Sequence, residues 1–365
     1  MDSITKHKNH PAEIRRTMHL ATPVIIGQVA VFSMNFVDTL MAGRLPDKEI
    51  ALAALGIGGA VWSSMLMFVL GTLMVVQPSV AQLDGAQMKS EAASQTRQAF
   101  WIAVALGIPF WFVCYFSEPL LTLFRIDPVI IPNAVGYLRA VSWGAPGLCL
   151  VFLLRFFSEG TGNTKPTMFY GVAGALLNIP LNYLLMFGKL GFPALGTVGC
   201  GYATSIIIWL QFVLLATYIA MHRHYRPFSL MSRLEKPDFG KIVALLKVGL
   251  PIAVAIFVEG SLFVGAALLI GQLGPVPAAA HLIAINFSAL VFMIPVGLSS
   301  AVSIRVGNAI GRGDPEAARY AGWIGLRSIL GVQSVRASGM FLCPDGGVRF
   351  STDDAVGAPL AGSGR

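Results

Sequence analysis

Long apolar segments alternate with short polar connectors along most of this chain. A helix needs about 20 mostly apolar residues to cross the hydrocarbon core of a bilayer, and eight segments of the sequence meet that requirement. They are residues 18–42, 51–76, 99–116, 134–157, 168–187, 195–221, 242–269 and 279–302. Helix breakers and charges fall between them, as in RLPDKE at 44–49 and EGTGNTKP at 159–166. The pattern predicts an all-α, polytopic membrane protein.

The overall composition supports the same class. Hydrophobic residues make up 55% of the 365 positions and charged residues 12%, whereas soluble domains carry about 25% charged residues. The four cysteines lack the paired spacing of a metal site or a disulfide framework; they are Cys114, Cys149, Cys200 and Cys343. We therefore interpret them as small core residues.

Basic residues are distributed unevenly over the connectors. If the N-terminal segment 1–17 is cytoplasmic, the segments on that side carry 17 Lys and Arg, and those on the outer side carry five. The long connector 222–241 contributes much of this excess. Such an asymmetry is typical of cytoplasmic loops, and it accounts for the net charge of +8 without a nucleic-acid partner. We expect the chain to lie in a lipid bilayer with its N-terminus in the cytoplasm.

The sequence also repeats itself. Prolines and glycines recur in the same order at an offset of 226 to 228 residues: Pro23 with Pro251, Gly43 with Gly271, Gly71 with Gly297 and Gly85 with Gly311. Six predicted helices separate the start of one copy from the start of the next, so both copies run in the same direction. Parallel repeats of this kind build transporters whose site lies between the halves. We therefore predict an N-lobe of six helices at 18–221 and a C-lobe that begins at 242.

The length of the repeat gives an expectation for the end of the chain. A second copy as long as the first would continue well beyond residue 365. A ninth helix would begin near Arg319, but Arg327 and Arg336 interrupt its apolar pattern. We expect a C-lobe truncated to 242–326, with eight or nine of twelve helices, and a non-native tail at 327–365, as a frameshift near 327–338 would produce.

Two acidic residues lie within the predicted spans, where ionisable side chains are costly and often functional. Asp38 lies near the outer end of the first span, so it could also be an interfacial carboxylate that reaches water. Glu259 lies near the middle of the seventh span, where we expect it to be buried. A buried carboxylate can bind and release a proton, or ligate Na⁺ together with other oxygens. Either role would couple an ion gradient to transport.

Amides and other polar groups accompany these carboxylates. Asn178 and Asn182 are four residues apart, so both amides share one face of the fifth span. They could solvate a neighbouring carboxylate, or simply join two helices by hydrogen bonds. Three further polar residues are candidates for a cleft or substrate site: Tyr137, Thr204 and Gln28. Polar residues within apolar segments more often only pack between helices.

The chain lacks the sequence patterns that would indicate an enzyme. We find no P-loop, no His/Cys metal spacing and no nucleophile elbow. Arg155 and Glu159, four residues apart near a cytoplasmic helix end, are interpreted as a plain ion pair. We therefore expect no catalytic residues, no cofactor, and no metal beyond a transient Na⁺ at Asp38 or Glu259.

Six segments together resemble the multidrug and toxic compound extrusion (MATE) family, in its NorM-like bacterial branch. They are VDTLMAGR at 37–44, QPSVAQLDGA at 77–86, EGTGNTKP at 159–166, LNIPLNY at 177–183, GLPIAVAIFVE at 249–259 and SIRVGNAIGRGD at 303–314. The resemblance implies twelve helices in two parallel lobes around a cleft, in a bacterial inner membrane. It also implies export of small cationic, lipophilic drugs in exchange for H⁺ or Na⁺ as the coupling ion.

The resemblance also implies roles for individual residues. Asp38 is similar to the family's cation-coupling carboxylate in the N-lobe, and the other members of its site are then Asn178, Asn182, Tyr137 and Thr204. Glu259 is similar to the acidic residue of the C-lobe. The chain departs from the family in that lobe, because it lacks an Asp and a Tyr of the tenth helix and has Leu282 where the branch has Gln.

Cation-coupled multidrug efflux is the function that the resemblance favours, and two alternatives stay open. A flippase for lipid-linked precursors, from the same superfamily, would need a cationic cleft, and the apolar spans carry little positive charge. A truncated C-lobe could also leave the product inactive, because helix faces meant for missing partners would be exposed.

Overall fold

The computed structural model describes residues 10–124, 126–191, 193–231, 235–271 and 275–340, with side chains for 15–262, 289 and 291–327 within those ranges. Apart from turns and a 3-10 helix at Arg223–Phe228, these residues form α-helices. The helices are α1 (His10–Ala42), α2 (Lys48–Leu73), α3 (Val76–Gly85), α4 (Lys89–Tyr115), α5 (Glu118–Leu123), α6 (Ile131–Ser142), α7 (Ala145–Gly160), α8 (Lys165–Phe187), α9 (Gly196–Met221), α10 (Phe239–Gly271), α11 (Pro275–Gly311) and α12 (Pro315–Met340). We refer to α1–α9 as the N-lobe and to α10–α12 as the C-lobe.

The long helices agree with the predicted spans. Seven are long and apolar enough to cross a membrane, and α6 and α7 together supply an eighth as a pair bent by 47°. The predicted all-α, multi-pass fold is therefore confirmed.

The fourth predicted span, 134–157, is present as a bent pair of helices rather than as one continuous helix. α6 and α7 are separate because Pro146 has no N–H to donate and its ring clashes with the carbonyl four residues earlier. Two side chains of α9 donate to carbonyl groups at the bend: Trp209 Nε1 to Trp143 O at 2.9 Å, and Ser205 Oγ to Ala140 O at 2.8 Å. Partners for these carbonyls make a bend tolerable at membrane depth.

A helix forms where the sequence predicts an interruption. α12 begins after Asp314, whose Oδ1 accepts a hydrogen bond from the N–H of Ala317 at 2.9 Å, and Pro315 occupies the first helical position. The helix continues past Arg327, so the predicted domain boundary at residue 326 lies inside it. The side chains of α12 are described only for 315–327, which is shorter than a membrane span.

α7 lies at the centre of the N-lobe. Fourteen of its 16 residues are buried, and α3, α4 and α9 pack around it. Polar groups on this helix are therefore shielded from water, and each needs a hydrogen-bond partner within the protein.

α1 and α8 pack closely and in parallel. A Cβ at Gly27 would lie 2.7 Å from the carbonyl oxygen of Thr167, and a Cβ at Gly171 would lie 2.8 Å from the carbonyl oxygen of Gly27. Glycine is thus required at both positions, as it often is where membrane helices approach closely. Asp38 follows Gly27 on α1 by the same number of residues as Asn182 follows Gly171 on α8. Because the helices are parallel, the contact between the glycines places Asp38 and Asn182 at the same height.

The lobes meet near the membrane side at which α1 begins. The first half of α1 and α3 pack on the second half of α11, and the end of α2 packs on α10. Arg305 of α11 donates through Nη1 to Thr17 Oγ1 of α1 at 2.6 Å. Further along the helices, Phe36 of α1 and Val258 and Leu262 of α10 are exposed.

The connector between the lobes is bound to α4. Arg97 Nε donates to Glu235 Oε1 at 2.9 Å, Trp101 Nε1 donates to the carbonyl oxygen of Glu235 at 3.0 Å, and Gln98 Nε2 donates to that of Lys236 at 3.0 Å. The hydrogen bonds from Arg97 lower the pKa of Glu235, so this ion pair stays charged at neutral pH. The part of the connector at Glu235 and Lys236 is therefore held against the N-lobe by hydrogen bonds.

Candidate functional site

Asp38 of α1 lies in a cradle of two amides from α8. Its side chain is buried, with 9% of the residue exposed, so it is not an interfacial carboxylate that reaches water. Asn178 Nδ2 donates to Asp38 Oδ1 at 2.9 Å, and Asn182 Nδ2 donates to the same oxygen at 2.5 Å. The two amides share one face of α8, as the sequence predicts, and the structure shows that this face packs on α1.

α6 and α9 complete the surroundings of this carboxylate. Tyr137 of α6 is buried near Asp38, and the thiol of Cys200 from α9 lies beside the carboxylate. Thr204 lies one turn further along α9 than Cys200. The sequence alone does not single out Cys200, because a cysteine in an apolar segment usually packs in the core. Its position one helical turn before the candidate Thr204 is the feature that could have identified it.

Three oxygens on residues of this candidate site have no hydrogen-bond partner among the described residues. They are Asn178 Oδ1, Asn182 Oδ1 and Thr204 Oγ1, and all three are buried. Unpartnered buried oxygens are uncommon in proteins and call for an explanation. Oxygens beside a carboxylate are the ligands that suit a hard cation such as Na⁺, and they could equally accept a hydrogen bond from a protonated carboxyl. The donor set therefore fits either coupling ion.

Glu259 does not join this site, and the prediction that it is buried is wrong. The residue is exposed on α10. α10 packs on α2 through residues such as Ala253, which touches Gly71, and Gly260, which lies against Met67. These contacts lie on another side of the helix, and no residue with a described side chain is seen to cover the carboxylate of Glu259.

Gln28 does not lie beside the candidate cation site either. Its Oε1 accepts a hydrogen bond from Arg155 Nη1 at 3.4 Å, which places it in a second group of polar residues. The cleft or substrate role of Gln28 stays a prediction; in the structure this side chain contacts α7.

This second group surrounds Glu159 of α7, and we call it the α7 polar cluster: Gln28, Gln77, Arg155, Glu159, Thr167 and Ser300. Glu159 is 0% exposed. Its Oε1 accepts from Arg155 Nε at 2.8 Å and from Thr167 Oγ1 at 2.9 Å. Its Oε2 accepts from Gln77 Nε2 at 2.9 Å and from Ser300 Oγ at 3.2 Å.

The interpretation of Arg155 and Glu159 as a plain ion pair therefore misses most of their environment. Both charges are buried, and a buried pair is stable only when further hydrogen bonds satisfy the remaining donors and acceptors. The cluster supplies those bonds from α1, α3, α8 and α11. Spacing alone reveals the pair but not its burial, because the helices that cover α7 are distant in sequence.

Comparisons with known proteins agree with this fold and these motifs. The model of the MatE family matches residues 23–184 and 251–362. The probable multidrug resistance protein NorM of Xanthomonas campestris pv. campestris is 42% identical over 350 residues, which cover 96% of this chain and 76% of that protein. The multidrug resistance protein PmpM of Pseudomonas aeruginosa is 40% identical over 347 residues, which cover 94% of this chain and 72% of that protein.

Solved structures show the same architecture. The eukaryotic MATE transporter AtDTX14 superimposes with a TM-score of 0.79 at 20% identity, over 90% of this chain and 72% of that one. An outward-facing multidrug resistance MATE family transporter of the MOP superfamily superimposes with a TM-score of 0.77 at 19% identity, over 90% and 71% of the two chains. On the matched family model, the close relatives and the shared fold, this multi-pass membrane protein belongs to the MatE family.

Proposed function

We propose that this chain exports structurally diverse drugs by antiport against H⁺ or Na⁺, in a bacterial inner membrane with its N-terminus in the cytoplasm. The single observation that carries the coupling is Asp38, a buried carboxylate held by two amides and surrounded by unpartnered oxygens. The relatives NorM and PmpM are named as multidrug resistance proteins, which supports drugs as the cargo.

The burial of Asp38 explains how an ion could drive the cycle. An ionised carboxylate in apolar surroundings is costly unless it is hydrogen-bonded or neutralised. In the proposed mechanism, Asn178 and Asn182 stabilise the ionised form, and binding of H⁺ or Na⁺ neutralises it. The two forms of the site then favour different arrangements of the lobes, so that the ion shifts the population between them.

The substrates that suit this chain are small cationic, lipophilic molecules. The exposed apolar side chains of α1 and α10, including Phe36 and Phe257, would contact lipophilic groups. The exposed carboxylate of Glu259 would attract a positive charge nearby. In this proposal the two acidic residues have different tasks: Asp38 binds the coupling ion, and Glu259 favours cationic cargo.

Transport assays with separately imposed gradients test the proposal. Ethidium uptake is measured in inverted membrane vesicles that contain this chain, with a proton gradient, a Na⁺ gradient, or neither. We expect uptake to require one of the two gradients and to stop when that gradient is dissipated. Vesicles without the chain are the control. Uptake that depends on neither gradient would refute cation coupling, and no uptake beyond the control would refute drug export by this chain.

A further inference from the structure

The α7 polar cluster joins the two lobes through a single side chain. Five of its members belong to the N-lobe, and among the described residues Ser300 of α11 is its one member from the C-lobe. Ser300 Oγ donates to Glu159 Oε2 at 3.2 Å and accepts from Gln77 Nε2 at 2.5 Å. Gln77 thus uses one amide nitrogen to contact both Glu159 and Ser300.

The charges of the cluster are balanced within the N-lobe. Arg155 and Glu159 lie on the same helix, and their contact at 2.8 Å does not involve the C-lobe. If α11 moves away, Glu159 keeps Arg155, Thr167 and Gln77 as donors and loses only the hydroxyl of Ser300. Separation therefore breaks hydrogen bonds to one neutral group and leaves no buried charge without its partner, which would be far more costly.

The apolar contact around Ser300 is small. Leu298 and Ala301 of α11 form a buried cluster with Ala21 of α1, separate from the large core that holds the N-lobe together. Leu20 and Ile25 of α1 pack against these three residues, and the apolar area that such a small cluster buries limits the strength of the packing contact. Around Ser300, the contact between the lobes therefore consists of hydrogen bonds to one neutral hydroxyl and a small apolar cluster, while α3 packs on α11 further along.

We propose that Ser300 and the α7 polar cluster form a releasable latch between the lobes, which holds them together at the membrane side where α1 begins. The latch favours the arrangement in which that side is closed, and its release accompanies opening. The role of the latch in a transport cycle rests on the proposed function. Its effect on the equilibrium between the closed and open arrangements of the lobes does not.

Distances between spin labels test the latch. Labels are attached to Ser90→Cys, next to the start of α4, and Arg312→Cys, just after α11; both positions are exposed and lie on opposite lobes. Cys343 is replaced, and the three buried cysteines are kept because they are inaccessible to the label. Electron–electron double resonance is then recorded in lipid nanodiscs for the otherwise native chain and for Ser300→Ala. The control is Ser299→Ala, which removes a neighbouring hydroxyl that is exposed.

We expect Ser300→Ala to raise the ratio of long to short distances about tenfold, the effect of one hydrogen bond to a charged group. Ser299→Ala should leave the ratio unchanged. Gln77→Met, which removes the shared donor from the other lobe, should shift the ratio in the same direction, and the double variant should shift it by less than the two single effects combined. Gln77→Met also tests the latch if Ser300→Ala fails to fold.

Equal distance distributions in the native chain, Ser300→Ala and Gln77→Met would overturn the latch, as would additive effects of the two substitutions. Ethidium transport is measured on the same preparations. A shift in the distances without any transport by the native chain would leave the latch standing and refute the proposed function, so the two failures are distinguishable.

Discussion

Asp38 and Glu259 look alike in the sequence but differ in their exposure in the structure. Both are acidic residues within apolar segments, and both would be costly if charged and surrounded by hydrocarbon. The structure buries Asp38 between two amides and leaves Glu259 exposed on α10. The difference shows that depth in a predicted span does not decide whether a carboxylate is buried; the helix that packs against the carboxylate does.

The close contact of α1 with α8 explains why Asp38 has partners. Gly27 and Gly171 let the two backbones touch, and from there the parallel helices bring Asn178 and Asn182 to the carboxylate. α10 has its close contact with α2 at Ala253, and no described residue covers Glu259 in a comparable way. We therefore expect three substitutions to separate these two carboxylates.

Asp38→Asn should have the largest effect and abolish gradient-driven export. An amide of the same shape can keep hydrogen bonds to α8, so the fold should persist, but it cannot bind and release a proton or supply a negative charge to Na⁺. Ethidium accumulation in cells expressing the variant should equal that of cells without the chain. The amount of protein in the membrane is measured in parallel.

Asp47→Asn is the matched control, because Asp47 is exposed just before α2. It should export ethidium like the native chain. Export at the native level by Asp38→Asn would remove Asp38 from the mechanism and erase its difference from Glu259.

Asn178→Leu should have an intermediate effect on export, and it tests how the amides of α8 influence ion binding at Asp38. The observed geometry has Nδ2 facing Asp38, so the substitution removes a donor that stabilises the ionised carboxylate. A hydrogen bond to a charged group contributes about 1.5–3 kcal/mol. If the coupling ion is H⁺, we expect it to bind roughly tenfold more tightly, so that half-maximal export is reached at a lower ion concentration while the maximal rate falls. If it is Na⁺, the loss of Asn178 Oδ1 as a ligand should weaken its binding instead.

Asn35→Leu serves as the control for this measurement, since Asn35 is exposed on α1. Weaker H⁺ binding in Asn178→Leu would contradict the donor role of the amide nitrogen, and tighter Na⁺ binding would contradict the ligand role of the amide oxygen.

The helices of this protein follow from its sequence more directly than its site does. Apolar runs locate the spans because the bilayer sets their length, but the same runs hide the bend before Pro146, where side chains of α9 bind the freed carbonyls. The spacing of Asn178 and Asn182 predicts a shared face. That Asp38 is opposite this face depends on how α1 and α8 pack, which is a contact between distant segments. The burial of Glu159 depends on such contacts even more, because four helices supply its partners.

Glu259→Gln should have the smallest effect and thereby sharpen the contrast with Asp38. An exposed carboxylate acts on a nearby cation through a polar medium, where two charges 4 Å apart interact with about 1 kcal/mol. Losing that attraction should weaken export of cationic ethidium by no more than about fivefold and should not alter the dependence on the ion gradient. Export of an uncharged substrate should be unchanged. If Glu259→Gln instead abolished export of charged and uncharged substrates alike, as Asp38→Asn is expected to do, Glu259 would be a second coupling site and exposure would be no guide to its role.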